Sequence, residues 1–253
     1  MATESGTSMG KAAKRTARER LAEQRKRDAA RGRRNRTLTI TGIAVVVIIA
    51  VVVGGIAIAR SRDDSDPATA AKYTGPLAPM TVDTAATTVT MAKPGVTKPL
   101  VDVYEDLQCP VCKQFEGSTG SVPRQLAAQG KAKVVYHLLS FVNPVGSARA
   151  AAAASCIPGN RWMAYHDAVY ARQPDERYAF TVDQLRQIGS QAGAGKKALG
   201  CIGKQTYAAT AKANNAKAAA AGFASTPTLV VDGRKLDLQT VFNREKLAQA
   251  IGG

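Results

Sequence analysis

Two cysteines with two residues between them, Cys109-Pro110-Val111-Cys112, are the residues best suited to chemistry in this chain. A pair at this spacing forms either a reversible disulfide or half of a zinc site. An apolar run at residues 100–104 predicts a strand before the pair, and the segment after it can begin a helix. A thiol at a helix N-terminus faces unpaired backbone N–H groups and the positive end of the helix dipole, which stabilise its thiolate. Because only the thiolate attacks in disulfide exchange, this context favours redox chemistry.

The predicted helix gives the two cysteines different roles. Cys109, at the helix start, is expected to be the exposed nucleophile, and Cys112, one turn deeper, the resolving cysteine. In an oxidant the pair is held as a disulfide, and a substrate thiolate attacks the Cys109 sulfur and expels Cys112. A lowered pKa of Cys109 makes it a better leaving group and stabilises the reduced enzyme, which is the property of an oxidant.

The zinc alternative would combine Cys109 and Cys112 with the two histidines of the chain, His137 and His166. Neither histidine lies at metal-ligand spacing from a partner. His137 falls in a predicted strand, and His166 lies on a predicted helix face with Trp162. We therefore expect no metal site.

The elements around the motif follow an order of strands and helices that contains one βαβ unit. Pro123 is expected to kink or divide the first helix. The predicted elements are an edge strand at 84–91, a strand at 99–105, a helix at 113–129, a buried strand at 133–141, an alanine-rich helical block at about 147–221, a tight hairpin around Asp232-Gly233 and a helix at 240–251.

The N-terminal part of the chain predicts a membrane anchor. The formal net charge of +16 is unevenly placed, with Lys and Arg crowded between residues 11 and 36, and residues 37–59 carry no charge. About 20 apolar residues cross a bilayer, so residues 37–59 predict a transmembrane helix. The positive-inside rule places the basic side in the cytoplasm and the acidic side, with Asp63 and Asp64, outside. The alternative is a cleaved signal peptide, because Ala57-Ile58-Ala59 resembles a cleavage site.

This pattern predicts a basic cytoplasmic tail at 1–36, a transmembrane helix at 37–59, a linker at 60–80 and a folded domain at 81–253. The protein would then be a single-pass protein of the cell membrane with an extracytoplasmic C-terminal domain. Basic residues beside an anionic leaflet favour lipid contact. No aromatic residue lies among them to stack on a base, so nucleic-acid binding is not expected.

An oxidising compartment allows the four cysteines to form two disulfides, with three possible connectivities. Cys109 with Cys112 is the only local choice, which leaves Cys156 with Cys201 as a structural disulfide. The alternative is that Cys156 or Cys201 is free or regulatory.

Residues 105–116, together with Thr226-Pro227-Thr228 just before the hairpin, resemble the DsbA-like thiol:disulfide oxidoreductases, in particular membrane-anchored members from actinobacteria. Residues 135–141, 161–167 and 221–229 are also similar to patterns of that family. The resemblance runs from about Val89 to the C-terminus. It implies an α/β structure, a thioredoxin fold with a helical domain inserted at about 147–221.

The resemblance also implies a site and partners. In thioredoxin-like folds a cis-proline faces the active disulfide and the preceding residue pairs with the backbone of a substrate peptide, positions that Pro227 and Thr226 occupy. The redox-active disulfide serves without a further cofactor, the substrates are unfolded or reduced secreted proteins, and a membrane quinone-linked enzyme of the DsbB or VKOR type re-oxidises the pair.

Two departures from the family pattern are visible. No histidine lies between the cysteines, so no imidazolium there helps to hold the thiolate. Some thioredoxin relatives carry a buried acid before the motif; Glu105 and Asp106 are the candidates here, and we expect at least one of them in a solvated loop.

We therefore predict an extracytoplasmic thiol:disulfide oxidoreductase that introduces disulfide bonds into secreted and cell-envelope proteins through Cys109 and Cys112. The first alternative is a reductase or isomerase of the same fold. No separate dimerisation domain is visible, and dedicated isomerases often carry one, which favours the oxidase. The other alternative is a non-catalytic peptide-binding or chaperone module.

Overall fold

The computed structural model of the protein describes residues 73–252. The predicted basic tail, the transmembrane helix and most of the linker lie outside the described residues. Within residues 73–252, no helix has the length and apolar character needed to cross a membrane.

A six-stranded sheet forms the base of the fold, with the strand order β1-β2-β4-β3-β5-β6. Strands β3 and β4 are parallel, which confirms the predicted βαβ unit, and the other neighbouring strands are antiparallel. The strands are β1 Met80–Asp83, β2 Thr88–Met91, β3 Leu100–Glu105, β4 Lys133–Leu138, β5 Thr228–Val231 and β6 Arg234–Lys235.

Helices pack around this sheet, and five of them, α3 to α7, stand between β4 and β5 where the helical block is predicted. We call these five helices and their loops the insert. The helices are α1 Pro110–Ser118, α2 Ser121–Gln129, α3 Gly146–Ala154, α4 Gly159–Ala171, α5 Val182–Gln191, α6 Lys196–Lys204, α7 Ala208–Ala220, α8 Leu238–Val241 and α9 Arg244–Gly252.

The predicted edge strand at 84–91 is only half correct. Strand β2 lies between β1 and β4 and is therefore an inner strand, and β1 is the edge. The carboxylate of Asp83 accepts hydrogen bonds from the backbone N–H groups of Ala85 and Ala86, at 2.9 and 3.0 Å. Such bonds turn the chain back on itself, so the two strands form a hairpin.

The predicted helix at 113–129 is divided, but not at Pro123. The break falls at Thr119 and Gly120, where a Cβ on Gly120 would lie 2.7 Å from the Cα of Glu116. Pro123 lies in the first turn of α2, where a missing N–H costs no helical hydrogen bond. The hairpin prediction is confirmed: Asp232 and Gly233 join β5 to β6, both with positive φ, as a two-residue type I′ turn requires.

The core lies between the sheet and the helices. Strand β3 alternates between its faces, so Val101, Val103 and Glu105 all point into the protein. Helix α4 packs Trp162 and Tyr165 into the same interior, and neither side chain has any exposed surface. Strand β3 thus ends with a carboxylate in the core, immediately before the cysteine motif.

Candidate active site

The cysteine motif begins helix α1. Cys109 is the N-cap residue, Pro110 occupies the first turn, where its fixed φ suits a helix start, and Cys112 lies one turn along. Both sulfurs are free thiols in this structure. Cys112 has no exposed surface, as the deeper position predicts. Cys109 is only 5% exposed, so the expectation of an exposed nucleophile is wrong.

The surroundings of Cys109 explain its low exposure. The thiol donates a hydrogen bond to the backbone oxygen of Thr226, with the sulfur 3.5 Å from the oxygen. The Thr226–Pro227 peptide bond is cis, and β5 begins at the next residue. Thr226 is half-buried and Pro227 is buried. The segment that the sequence singles out as substrate-binding therefore lies directly against the N-terminal cysteine.

The two thiols have opposite acidities. The largest influence on the pKa of Cys109 is a hydrogen bond from the Cys112 side chain, which lowers it. Bonds from the Thr226 side chain and the Cys112 backbone lower this pKa further, and together the three outweigh the opposing effect of burial. Burial, followed by the proximity of Cys109 and the charge of Glu105, raises the pKa of Cys112 well above its ordinary value. The reduced site therefore favours a thiolate on Cys109 and a neutral thiol on Cys112.

Two glutamine side chains connect the motif to the insert. The Nε2 group of Gln173 donates to the backbone oxygens of Leu107 and Cys109, at 3.0 and 3.1 Å. Gln108 donates to the oxygen of Tyr178 and accepts from the N–H of Phe180. Neither glutamine has a sequence signal that separates it from a surface residue, and sequence reasoning missed both.

Asp106 organises the backbone on the other side of the motif. Its carboxylate accepts hydrogen bonds from the N–H groups of Gln108, Phe141 and Val142, at 2.8 to 2.9 Å. Burial is the largest influence on this carboxyl and raises the pKa of Asp106 in spite of these bonds. Asp106 and Glu105 both have no exposed surface, so the expectation that one of them lies in a solvated loop is wrong.

Five ionisable residues form a connected network that includes Glu105, whose charge acts on Cys112, and we call them the buried charge cluster: Glu105, Glu116, Arg124, His166 and Asp167. His166 Nε2 lies 2.7 Å from Glu105 Oε1, and His166 Nδ1 lies 3.1 Å from Asp167 Oδ1. The guanidinium of Arg124 forms ion pairs with both Glu116 and Asp167. The hydroxyl of Tyr170 donates to Glu105 Oε2 at 3.0 Å.

Mutual attraction sets the charges within this cluster. Burial alone would lower the pKa of His166, but the Glu105 carboxylate and the hydrogen bonds with Asp167 and Glu105 outweigh it and raise this pKa to about 10. Burial would likewise raise the pKa of Asp167, but the His166 hydrogen bond and the Arg124 charge lower it to about 2. The imidazolium and the Asp167 carboxylate are thus both ionised at neutral pH.

The structure separates the residues of the zinc alternative. Among residues 73–252, the three metal-ligand atoms that come within 4.8 Å of one another belong to Glu105, Glu116 and His166, and neither cysteine is among them. His137 instead lies 2.8 Å from Asp102 and stacks on Tyr104. Since Glu116 is already bound by Arg124 and His166 by Glu105, we interpret the three as part of an ion-pair network.

Comparison with known proteins identifies the family. A family model described as Thioredoxin matches residues 95–251, more than half of the chain. Two structures from Mycobacterium tuberculosis are similar to this chain: reduced DsbG (28% identical, TM-score 0.51, 59% of this chain and 77% of that one) and reduced DsbA (29% identical, TM-score 0.51, 59% and 81%).

The chain belongs to the DsbA-like thiol:disulfide oxidoreductases. MdbA, a thiol-disulfide oxidoreductase from Corynebacterium diphtheriae, shares the fold of this DsbA-like chain with a TM-score of 0.59 at 18% identity, over 73% of this chain and all of that one. A curated relative, the serine/threonine-protein kinase PknE of M. tuberculosis, is 32% identical over 149 residues, which is 53% of this chain. The chain spans about a quarter (26%) of the length of that relative.

A disulfide closes the insert of the DsbA-like domain. Cys156, just after α3, is bonded to Cys201 in α6, with Cα atoms 5.7 Å apart and a sequence separation of 45 residues. These are the two cysteines left over when Cys109 and Cys112 are paired. The bond joins the end of the first helix of the insert to the fourth of its five helices.

We expect the double substitution Cys156→Ser, Cys201→Ser to lower the free energy of unfolding by about 4 kcal/mol, because a 45-residue loop is no longer closed in the unfolded chain. Urea unfolding followed by circular dichroism measures the change. Wild-type protein in excess dithiothreitol is the control and should fall to the same stability. A double variant as stable as the oxidised wild type would contradict the prediction.

Proposed function

We propose that this DsbA-like protein works in the oxidising direction and introduces disulfide bonds into secreted and cell-envelope proteins. The observation that carries the proposal is the different placement of the two thiols: Cys109 is the N-cap residue of α1 and contacts Thr226, whereas Cys112 is wholly buried. This placement lowers the pKa of Cys109 and raises that of Cys112. A stabilised thiolate favours the reduced enzyme, and an enzyme with a stable reduced form is a strong oxidant. The N-cap position of Cys109 adds the attraction of the helix dipole.

The reaction balances as two exchanges. A substrate thiolate attacks the Cys109 sulfur of the Cys109–Cys112 disulfide, a new sulfur–sulfur bond forms, and Cys112 leaves and takes up a proton. A second substrate thiolate then attacks the substrate sulfur of the mixed disulfide and expels Cys109 as a thiolate. The substrate loses two electrons and the enzyme pair gains them.

Thr226 supports a peptide substrate in this scheme. Its backbone oxygen lies 3.5 Å from the Cys109 sulfur, and the residue is half-exposed beside the start of β5. A peptide whose cysteine is bonded to Cys109 therefore passes along the backbone of Thr226. Backbone pairing recognises an extended chain without regard to its sequence, as many different substrates require.

The proposal includes a location and a partner. The uncharged segment 37–59 anchors the protein as a single-pass membrane protein, and the domain that carries the cysteines is extracytoplasmic. Each turnover leaves the cysteines reduced, so a second enzyme must remove two electrons. A membrane quinone-linked re-oxidase of the DsbB or VKOR type is the partner that this chemistry and location call for.

Equilibration of the full-length protein with glutathione buffers tests the direction. We expect the reduction potential of the Cys109–Cys112 pair to lie nearer the value of about −120 mV for DsbA than that of about −270 mV for thioredoxin. In a Cys112→Ser variant, iodoacetamide should alkylate Cys109 with a pH midpoint below the ordinary thiol value of about 8.5. A potential near that of thioredoxin would instead support the reductase alternative.

A further inference from the structure

The burial of Cys112 prevents its sulfur from exchanging a proton directly with solvent. Cys112 has no exposed surface, yet it must gain a proton each time it leaves the disulfide and lose one each time the pair is re-oxidised. Bulk water does not reach the sulfur. A protein group must therefore exchange the proton with Cys112. Glu105, the last residue of β3, is the candidate, because its charge influences this thiol.

Glu105 is equally isolated from solvent. Its side chain has no exposed surface, and its two oxygens are bonded by His166 Nε2 at 2.7 Å and by the Tyr170 hydroxyl at 3.0 Å. A tyrosine hydroxyl is a poor acceptor of a further proton at neutral pH. Imidazole differs, because each ring nitrogen can carry a proton and the ring can take one on one side and release one on the other.

His166 leads from Glu105 towards the surface. Its second nitrogen, Nδ1, lies 3.1 Å from Asp167 Oδ1, and the Asp167 side chain is 23% exposed. Asp167 lines a cavity of about 570 Å³ that Lys113, Arg172 and Arg244 also line. A continuous series of hydrogen-bonded ionisable groups thus joins Glu105, whose charge acts on Cys112, to a cavity large enough for water.

We propose that His166 is a positioning residue of the exchange reaction: it holds the Glu105 carboxyl group through Nε2 and exchanges a proton with Asp167 through Nδ1 whenever Glu105 takes up or gives up a proton, so that Cys112 can resolve a mixed disulfide. This inference rests on the proposed chemistry of Cys109 and Cys112. During resolution, the Cys112 proton passes to Glu105, and the His166 imidazolium releases its Nδ1 proton to Asp167 and the cavity, so that the total charge of Glu105 and His166 does not change. When the disulfide is next reduced, Glu105 gives its proton to the departing Cys112 sulfur, and His166 regains a proton from the cavity through Asp167.

Charges from several elements act on His166 and Glu105. Together they favour an imidazolium at His166, because Glu105, Asp167 and Glu116 all attract its positive charge. The groups that contribute are Cys112 and Glu116 from α1, Arg124 from α2, Tyr136 from β4, and Asp167 and Tyr170 from α4.

A single-turnover reaction with 5,5′-dithiobis(2-nitrobenzoate) separates the steps that use the two cysteines. The full-length protein is first reduced selectively at Cys109–Cys112. The Cys109 thiolate then attacks the reagent and releases a first thionitrobenzoate; Cys112 attacks the resulting mixed disulfide and releases a second as the enzyme disulfide forms. Absorbance at 412 nm follows both releases in one trace.

We expect His166→Gln to slow the second release by about 100-fold, the lower range for loss of a proton-transfer group, and to leave the first unchanged. The pH midpoint of the second release should also rise, because loss of the imidazolium leaves the surroundings of Cys112 more negative and raises the pKa of its thiol further. A His137→Gln variant is the matched control: that histidine lies 2.8 Å from Asp102 outside the cluster, and both releases should match the wild type.

Two further measurements keep the inference testable if His166→Gln folds poorly. Asp167→Asn removes the outer proton acceptor and should slow the second release alone. In the wild type, deuterium oxide should slow the second release more than the first. Equal rates for wild type and both variants, or equal slowing of both releases, would overturn the role of His166. Failure of the wild type to release the second thionitrobenzoate would instead overturn the exchange chemistry itself.

Discussion

Cys109→Ser is expected to abolish disulfide exchange, with the oxidation of a reduced substrate protein falling to the uncatalysed rate. A serine hydroxyl cannot form the mixed disulfide, and Cys112 cannot replace Cys109 because it has no exposed surface and a raised pKa. Refolding of reduced ribonuclease, followed by its recovered activity, measures the loss. The variant should keep the fold, since serine is also a good helix N-cap residue.

Cys112→Ser is the matched control for this result. The variant keeps the low-pKa thiol of Cys109 but lacks the resolving sulfur. Cys109 should therefore still attack a disulfide of the substrate and then remain bonded to the substrate. A non-reducing gel shows the covalent complex. Residual oxidation by Cys109→Ser, or the absence of a trapped complex with Cys112→Ser, would contradict the assignment of the two roles.

Arg124→Met is expected to lower the free energy of unfolding by about 3–5 kcal/mol, the usual cost when one member of a buried ion pair is removed. The Arg124 side chain is only 3% exposed and pairs with Glu116, which is 6% exposed, and with Asp167. Burial already raises the pKa of Glu116 against the attraction of Arg124. Urea unfolding at pH 7 measures the change.

The pH dependence distinguishes this explanation from a simple loss of packing. The pKa of Asp167, about 2 in the folded protein, is lower than the ordinary value, so its ionisation stabilises the fold above about pH 4, a contribution lost as the pH falls through about 2. Without Arg124 this acid loss should begin at a higher pH. The control Arg244→Met removes an exposed arginine that donates hydrogen bonds to Ser118 and Ser121. A similar loss of stability in this control would contradict the prediction.

Local patterns were sufficient to predict where the main strands and helices lie and that the cysteine pair follows a strand and begins a helix. The apolar alternation before Cys109, the tight turn at Asp232-Gly233 and the proline after Thr226 each depend on neighbours in sequence. The same alternation also contained the buried acid: Val101, Val103 and Glu105 share one face of β3 because side chains repeat with a period of two. Had this register been followed, Glu105 would have been placed in the core.

Contacts between distant elements were not predictable in the same way. His166 lies 61 residues from Glu105, and Gln173 lies 64 residues from Cys109, so neither hydrogen bond leaves a local signature. The prediction that Cys109 is exposed was wrong for a similar reason, because Thr226, the residue that contacts its sulfur, is 117 residues away in the sequence. Such contacts depend on how the helices return to the sheet.

The hydrogen bonds between Gln173 and the cysteine motif imply that the five helices between β4 and β5 cannot be removed without changing the active site. His166, Asp167, Tyr170 and Gln173 come from this region, so a shortened chain that joined Leu138 directly to Thr228 would lose the groups that surround Glu105 and hold the Cys109 carbonyl. An engineer seeking a minimal redox module could therefore not excise the middle of this domain and keep the same chemistry.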